Sequence, residues 1–164
     1  MTSFEDIYNA FFEKMESDQR FFNYFDLAEE ESMALARERA HTYLKESIAV
    51  ILRRCDTDTG IDFTNYNDEL EMFNFDLTPD EIDMIASLMY EQEYKRQYSR
   101  LKVFDIQHIP STLNVFSPSN ERKTVRALFQ DIHNENLTIL DNYNAKDRNT
   151  HTSKTIDYDS YADE

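Results

Sequence analysis

A single glycine, Gly60, serves all 164 residues, and that scarcity narrows the choice of folds more than any motif does. Glycine supplies positive φ and lets the backbone approach a ligand closely. Phosphate-cradling loops, dinucleotide fingerprints, nucleophile elbows and tight type I′ hairpins each draw on it repeatedly. None of these can be assembled from this chain. The expectation is a helical protein that holds no nucleotide.

Twelve Phe and ten Tyr help bring hydrophobic residues to 40%, too many for an unfolded chain despite a mean hydropathy of -0.72. Aromatic side chains bury large areas each, so a modest aliphatic content still closes a core. The length suits one domain. Acidic residues outnumber basic ones 33 to 17, for a net charge of -16. Affinity for nucleic acid depends on cations that neutralise phosphates, and an anionic membrane surface repels the same excess. A general DNA, RNA or membrane binder is therefore excluded. Basic residues do cluster locally, at Lys95, Arg96, Arg100 and Lys102 and again at Arg122, Lys123 and Arg126. Such clusters read as solvated helix faces, as salt-bridge partners for nearby carboxylates, or as a contact surface for an acidic partner.

Apolar spacing predicts an all-α fold: an antiparallel bundle of about four main helices, with a loop-rich insertion near residues 56–76 and an extended C-terminal tail. Ser3 caps the first helix, with Asp6 completing a capping box, and Ile7, Phe11 and Ala10 or Met15 form its apolar face. Phe21, Phe22, Tyr24 and Phe25 read as a core plug or, less simply, as an exposed knob. Asp26 with Glu29 forms a second capping box, and Glu29, Glu30 and Glu31 suit the positive end of the helix dipole. That helix runs from about Leu27 to about Arg54, with Ala36, Ala40, Leu44, Ser47 or Ile48, Ile51 and Cys55 along one stripe and Arg53 and Arg54 in its last turn. A short helical turn is expected around Asn67 to Met72. Thr78-Pro79-Asp80-Glu81 is the sharpest helix start, since Thr78 caps, Pro79 fits the first position and Glu81 reaches back. Its stripe, Ile82, Ile85, Ala86, Met89 and Glu93 or Tyr94, carries to about Ser99. Ser117-Pro118 opens the last helix, lined by Val125, Leu128, Phe129, Ile132, Ile139 and Tyr143. Residues 1–143 make the helical domain. Residues 144–164 form a polar tail that alone lacks apolar content to order itself; only Ala145, Ile156, Tyr158, Tyr161 and Ala162 in it are suited to burial.

No residue pattern points to catalysis. Asp56-Thr57-Asp58-Thr59-Gly60 opens like a calcium loop, but glycine falls at position 5 where 6 is required, and Ile61 and Asn67 stand at positions 6 and 12. A polar turn is the better reading. His41, His108, His133 and His151 are scattered without the close spacing of a zinc frame, although His41 and His133 lie on helices that could meet. Cys55 is alone, which fits a reducing compartment and a buried, inert thiol. The first residues lack the charged and apolar regions of a secretory leader. No cofactor, metal or catalytic residue is expected.

The run Phe73-Asn74-Phe75-Asp76-Leu77-Thr78-Pro79-Asp80-Glu81-Ile82, followed by Ile85-Ala86 and Met89, resembles a segment of small all-helical head-to-tail adaptor proteins of tailed bacteriophages of Gram-positive bacteria. Ile7-Tyr8 through Phe11-Phe12, and Phe116-Ser117, are similar to the same pattern. The likeness covers about Phe4 to Tyr143. Family patterns often carry tryptophan in the helix after the methionine, where this chain has Tyr94 nearby instead. The resemblance implies a structural component of the virion neck, assembled in the host cytoplasm and bound beneath the portal protein. It implies a ring, twelvefold by family, around a DNA path that is not specifically bound. Interfaces between copies of like charge need opposite signs face to face, and Lys95, Arg96, Arg100 and Lys102 against a neighbour's Glu29, Glu30 and Glu31 is one arrangement. On the same reading Ile156, Tyr158 and Tyr161 would anchor the polar tail to the portal or a neighbouring copy. Two other readings stay open: an acidic regulator that mimics DNA and occupies a host protein's basic cleft, and a tail-assembly factor absent from the finished particle.

Overall fold

The computed structural model describes residues 1–16, 19–22, 27–55, 61–107, 118–148 and 150–154. The frame is all-α. In chain order come β1 (Thr2–Ser3), α1 (Phe4–Met15), α2 (Gln19–Phe22), α3 (Glu29–Arg54), β2 (Tyr66–Asn67), β3 (Met72–Phe73), α4 (Pro79–Gln107) and α5 (Pro118–Ala145). Four of these are long helices, as the apolar spacing predicts.

Helix α4 is the hub, packing against α1, α3 and α5. Its buried residues, Glu81, Met84, Ile85, Ala86, Leu88, Met89, Glu91, Gln92 and Glu93, spread over more than half of the rod's circumference at about 100° per residue. A helix covered on so wide a face loses the narrow apolar stripe of a surface helix. Helices α4 and α5 run antiparallel, as shown by Tyr143 bonding to Glu81 near one end and Tyr98 stacking on Phe129 near the other. The one-stripe reading of α4 stopped it near Ser99, whereas it continues to Gln107. Nothing between Ser99 and Gln107 breaks a helix, because the next proline is Pro110.

Aromatic rings fill the space that aliphatic side chains leave. Phe4, Phe11, Phe21, Phe63, Phe73, Tyr8 and Tyr43 are all buried. Phe11 meets Phe21 edge-on at 5.4 Å and Tyr43 at 6.1 Å, and Phe4 meets Phe73 at 5.3 Å. Edge-to-face contacts of this kind add about 0.5–1.5 kcal/mol beyond burial. Phe21 and the half-buried Phe22 thus plug the core, while Tyr24 and Phe25 lie outside the described residues.

The insertion holds more order than a loop. Strand β3 pairs antiparallel with both β1 and β2, matching Thr2 and Tyr66 to Phe73 and Ser3 and Asn67 to Met72. The helical turn expected at Asn67 to Met72 is instead a hairpin without glycine. Asn67 Oδ1 accepts from the Glu69 and Leu70 amides at 2.9 and 3.1 Å, and Glu71 takes the left-handed conformation at φ 48. That conformation costs a non-glycine residue roughly 1–2 kcal/mol. The sheet repays it by tying the start of α1 to the stretch before α4, where the Phe4 amide donates to the Glu71 carbonyl at 2.8 Å and the Leu77 amide donates to Thr2 Oγ1 at 2.8 Å.

Three helix details differ from the sequence pattern. Ser3 caps α1 through the Glu5 amide at 3.2 Å rather than that of Asp6. Helix α3 begins two residues later than expected, with Ala28 as a cap that offers no side-chain acceptor, and Asp26 lies outside the described residues. On α5, Leu128 is exposed and Leu140 is buried, so the packed stripe is Ile132, Asn136, Leu140 and Tyr143.

Phe11→Ala is expected to destabilise the fold by about 3–5 kcal/mol, seen as a lower urea midpoint. Leu70→Ala, exposed in the hairpin loop, should stay within about 0.5 kcal/mol of the parent. Ser47 is fully buried and its hydroxyl has no hydrogen-bond partner among the described residues. Replacing it by Ala removes an unsatisfied group, so Ser47→Ala should raise the melting temperature, and a fall would refute this account of the site.

Candidate functional site

The capping box at the start of α4 forms as its spacing demands. The Thr78 amide donates to Glu81 Oε2 at 2.8 Å, and the Glu81 amide donates to Thr78 Oγ1 at 3.2 Å. Glu81 nevertheless does more than cap, because it is 0% exposed. Tyr143 donates to Oε1 at 2.9 Å, and Arg148 donates to the same oxygen at 2.7 Å and to Oε2 at 2.9 Å. Arg148 also bonds the Asp76 carbonyl at 2.6 Å. Burial opposes the charge on Glu81, yet Arg148, the Thr78 amide and Tyr143 together hold its carboxyl below the usual carboxylate range.

Arg148 reaches this point because the chain doubles back after α5. The Asp147 amide donates to the Thr152 carbonyl at 2.9 Å, the Lys154 amide donates to the Ala145 carbonyl at 2.7 Å, and His151 adopts φ 54. The first part of the polar tail is therefore hydrogen-bonded to its own helix. Ile156, Tyr158 and Tyr161 lie outside the described residues.

A second polar layer lies farther along α4. Glu91 accepts from Asn136 at 2.8 Å and lies 2.7 Å from His133 Nδ1, while Asn136 also donates to the Ser87 carbonyl at 3.1 Å. On the α3 side, buried Glu93 accepts from the Tyr43 hydroxyl. Burial first, and then that bond, push the Tyr43 hydroxyl's ionisation up. These contacts satisfy the buried side chains of Glu91, Glu93 and Asn136, as burial requires.

Above this layer α3, α4 and α5 leave a groove. It consists of two adjoining clefts of about 310 Å³ each, which share Val50, Arg53, Gln92 and Lys95. Arg54 lines one end, and Val50, Leu88 and Leu137 supply apolar surface. Arg53, Arg54 and Lys95 are exposed, and none of them is ion-paired among the described residues. Lys14 by contrast pairs with Asp83, Arg37 with Glu5, Lys45 with Asp68, and Arg96 with Glu46. In a molecule of charge -16, three unpartnered cations around one groove are the feature best suited to bind something.

The candidate residues divide accordingly. Lys95 lines the groove, but Arg96 is held by Glu46 at 2.9 Å and lies 4.6 Å over the Tyr43 ring. Arg100 is exposed on α4. Lys102 belongs to the same helix, and its side chain is outside the described set. Glu29, Glu30 and Glu31 are exposed in the first turn of α3. Arg53 and Arg54 read in the sequence as ordinary helix-end charges, and nothing local marks them as groove residues.

His41 and His133 do not meet. His41 bonds Tyr8 at 2.9 Å, whereas His133 belongs to Glu91. Among the described residues no group of three His, Cys, Asp or Glu could hold a metal ion, and Asp56 to Gly60 fall outside them. Cys55 is buried, and burial pushes its thiol up to about 11, with Asp141 adding to the effect. No helix among the described residues is long and apolar enough to cross a membrane. Compared with known proteins, the chain matches no family model, no curated protein and no solved structure.

Arg148→Met would leave Glu81 buried without its counter-charge, a loss expected at about 3–5 kcal/mol near neutral pH. The depressed Glu81 ionisation adds stability above the unfolded-chain value of about 4.3, and that stability is lost as pH falls through the lower folded value. The gap between parent and variant should therefore narrow in acid when both are unfolded in urea. An unchanged gap would show that the pair contributes through packing alone.

Proposed function

We propose that this chain is a structural virion protein, a head-to-tail adaptor that forms a ring between the portal and the tail of a tailed phage. It works by binding proteins and transforms no substrate. The Phe73 to Met89 run supports the family, and the groove rimmed by Arg53, Arg54 and Lys95 is the observation that carries the binding role. Copies that each bear -16 repel one another, so a ring of them needs local surfaces of opposite sign. The groove is such a surface. A DNA path bordered by the remaining carboxylates would not be gripped, because adhesion to phosphates needs cations. Portal protein and other neck or tail proteins are the partners, and the neck of the virion is the location.

Mass photometry of the full chain with and without the portal protein tests this. Complexes that combine a portal ring with many copies are expected. A free dimer that ignores the portal and competes with DNA for a host protein would instead establish a DNA mimic. Mass spectrometry of purified virions separates the remaining reading, since an assembly factor leaves the particle and an adaptor stays.

A further inference from the structure

We infer that the groove between α3, α4 and α5 receives the N-terminal end of α3 from a second copy of this chain. The inference deepens the ring reading and rests on it, because it specifies how adjacent subunits join. The groove offers Arg53, Arg54 and Lys95 around apolar Val50, Leu88 and Leu137. Its complement lies at the opposite end of the same helix. Glu29, Glu30 and Glu31 are exposed there, and so are two large apolar side chains, Leu27 at 43% and Met33 at 36%. Met33 follows Glu29 by four residues and Glu30 by three, so the three share one face of the helix. The result is an apolar knob bordered by carboxylates, matched to a groove with apolar patches and three unpaired cations. The two carboxylates that line the groove, Glu46 and Glu91, are already held by Arg96 and by His133 and Asn136.

Geometry decides between one chain and two. Both surfaces belong to a continuous 26-residue helix, whose ends are about 39 Å apart. A single copy cannot bring them together without breaking α3. Between copies the contact is head-to-tail, joining different patches of each subunit, and such contacts generate rings when the rotation closes. Helix-end charges gain from this arrangement as well. Glutamates at the N-terminal end and arginines at the C-terminal end already suit the dipole of α3, so each copy presents both signs at no conformational cost.

The test uses the full chain. Sedimentation velocity over a concentration series should show salt-sensitive self-association. Arg53→Glu with Lys95→Glu should weaken it by about ten-fold or more, as should Glu29→Lys with Glu30→Lys. All four changes in one chain should recover most of the loss, because the signs are again opposite. Carbodiimide coupling of a mixture of light and isotopically heavy chains should join Lys95 of one copy to Glu29, Glu30 or Glu31 of another. Arg53→Gln with Lys95→Gln serves as a milder groove variant, and circular dichroism verifies the fold of each. A wild-type chain that stays monomeric throughout, or association indifferent to all four reversals, overturns the inference. Portal binding is read separately: a chain that binds the portal yet ignores the reversals keeps the adaptor role and loses this contact. Reversal-sensitive association without portal binding does the opposite.

Discussion

Burying the Glu81 carboxylate obliges the start of α4 and the distant end of α5 with the turn beyond it to meet at one point. An ionised carboxylate removed from water is tolerated only when donors surround it. Here Thr78 supplies an amide from the start of α4, Tyr143 a hydroxyl from the end of α5, and Arg148 a guanidinium from the turn beyond. Arg148 also grips the Asp76 carbonyl, next to the segment that the small sheet ties to the start of α1. The ends of the bundle are thus aligned by one charge, and the registers of α4 and α5 follow from it. Glu91 with His133 and Asn136 repeats the device one layer along.

Charge also explains how so acidic a molecule stays compact. Several carboxylates are consumed internally by donors, and others are paired on the surface by Lys14, Arg37, Lys45 and Arg96. Exposed pairs of this sort contribute little each. What sets Arg53, Arg54 and Lys95 apart is that three unpaired cations border one groove. Apolar surface at that place adds what charge alone cannot, since hydrophobic contact is not screened by salt.

What could be read in advance was local. The Thr78 to Glu81 box spans four residues, and its hydrogen bonds form as the pattern requires. The α3 stripe from Ala36 through Ile51 is buried, because a helix covered on one side keeps a one-sided pattern. Helix α4 broke that logic, since contact with three neighbours buries Glu91, Gln92 and Glu93 alongside Met89. The three strands escaped notice because pairings two residues long carry no alternation to detect. Arg148 stands 67 positions from Glu81, and nothing in a polar stretch foretells that partnership. The groove was equally hidden: Arg53 and Arg54 are sensible helix-end residues by themselves, and only the packing of α3 beside α4 and α5 turns them into a rim.

Cys55 carries a practical corollary. It terminates α3, its amide donates to the Ile51 carbonyl at 2.7 Å, and its sulfur is shielded in the core. A thiol-directed reagent can react with it only while this corner of the molecule is open, because both access and thiolate formation are suppressed in the closed form. The rate of alkylation is therefore a built-in clock for transient opening at the junction of α3 with α5, where Asn144 bonds the Arg54 carbonyl at 2.9 Å. Anything that clamps the adjoining groove would slow that clock from outside, without touching the sulfur.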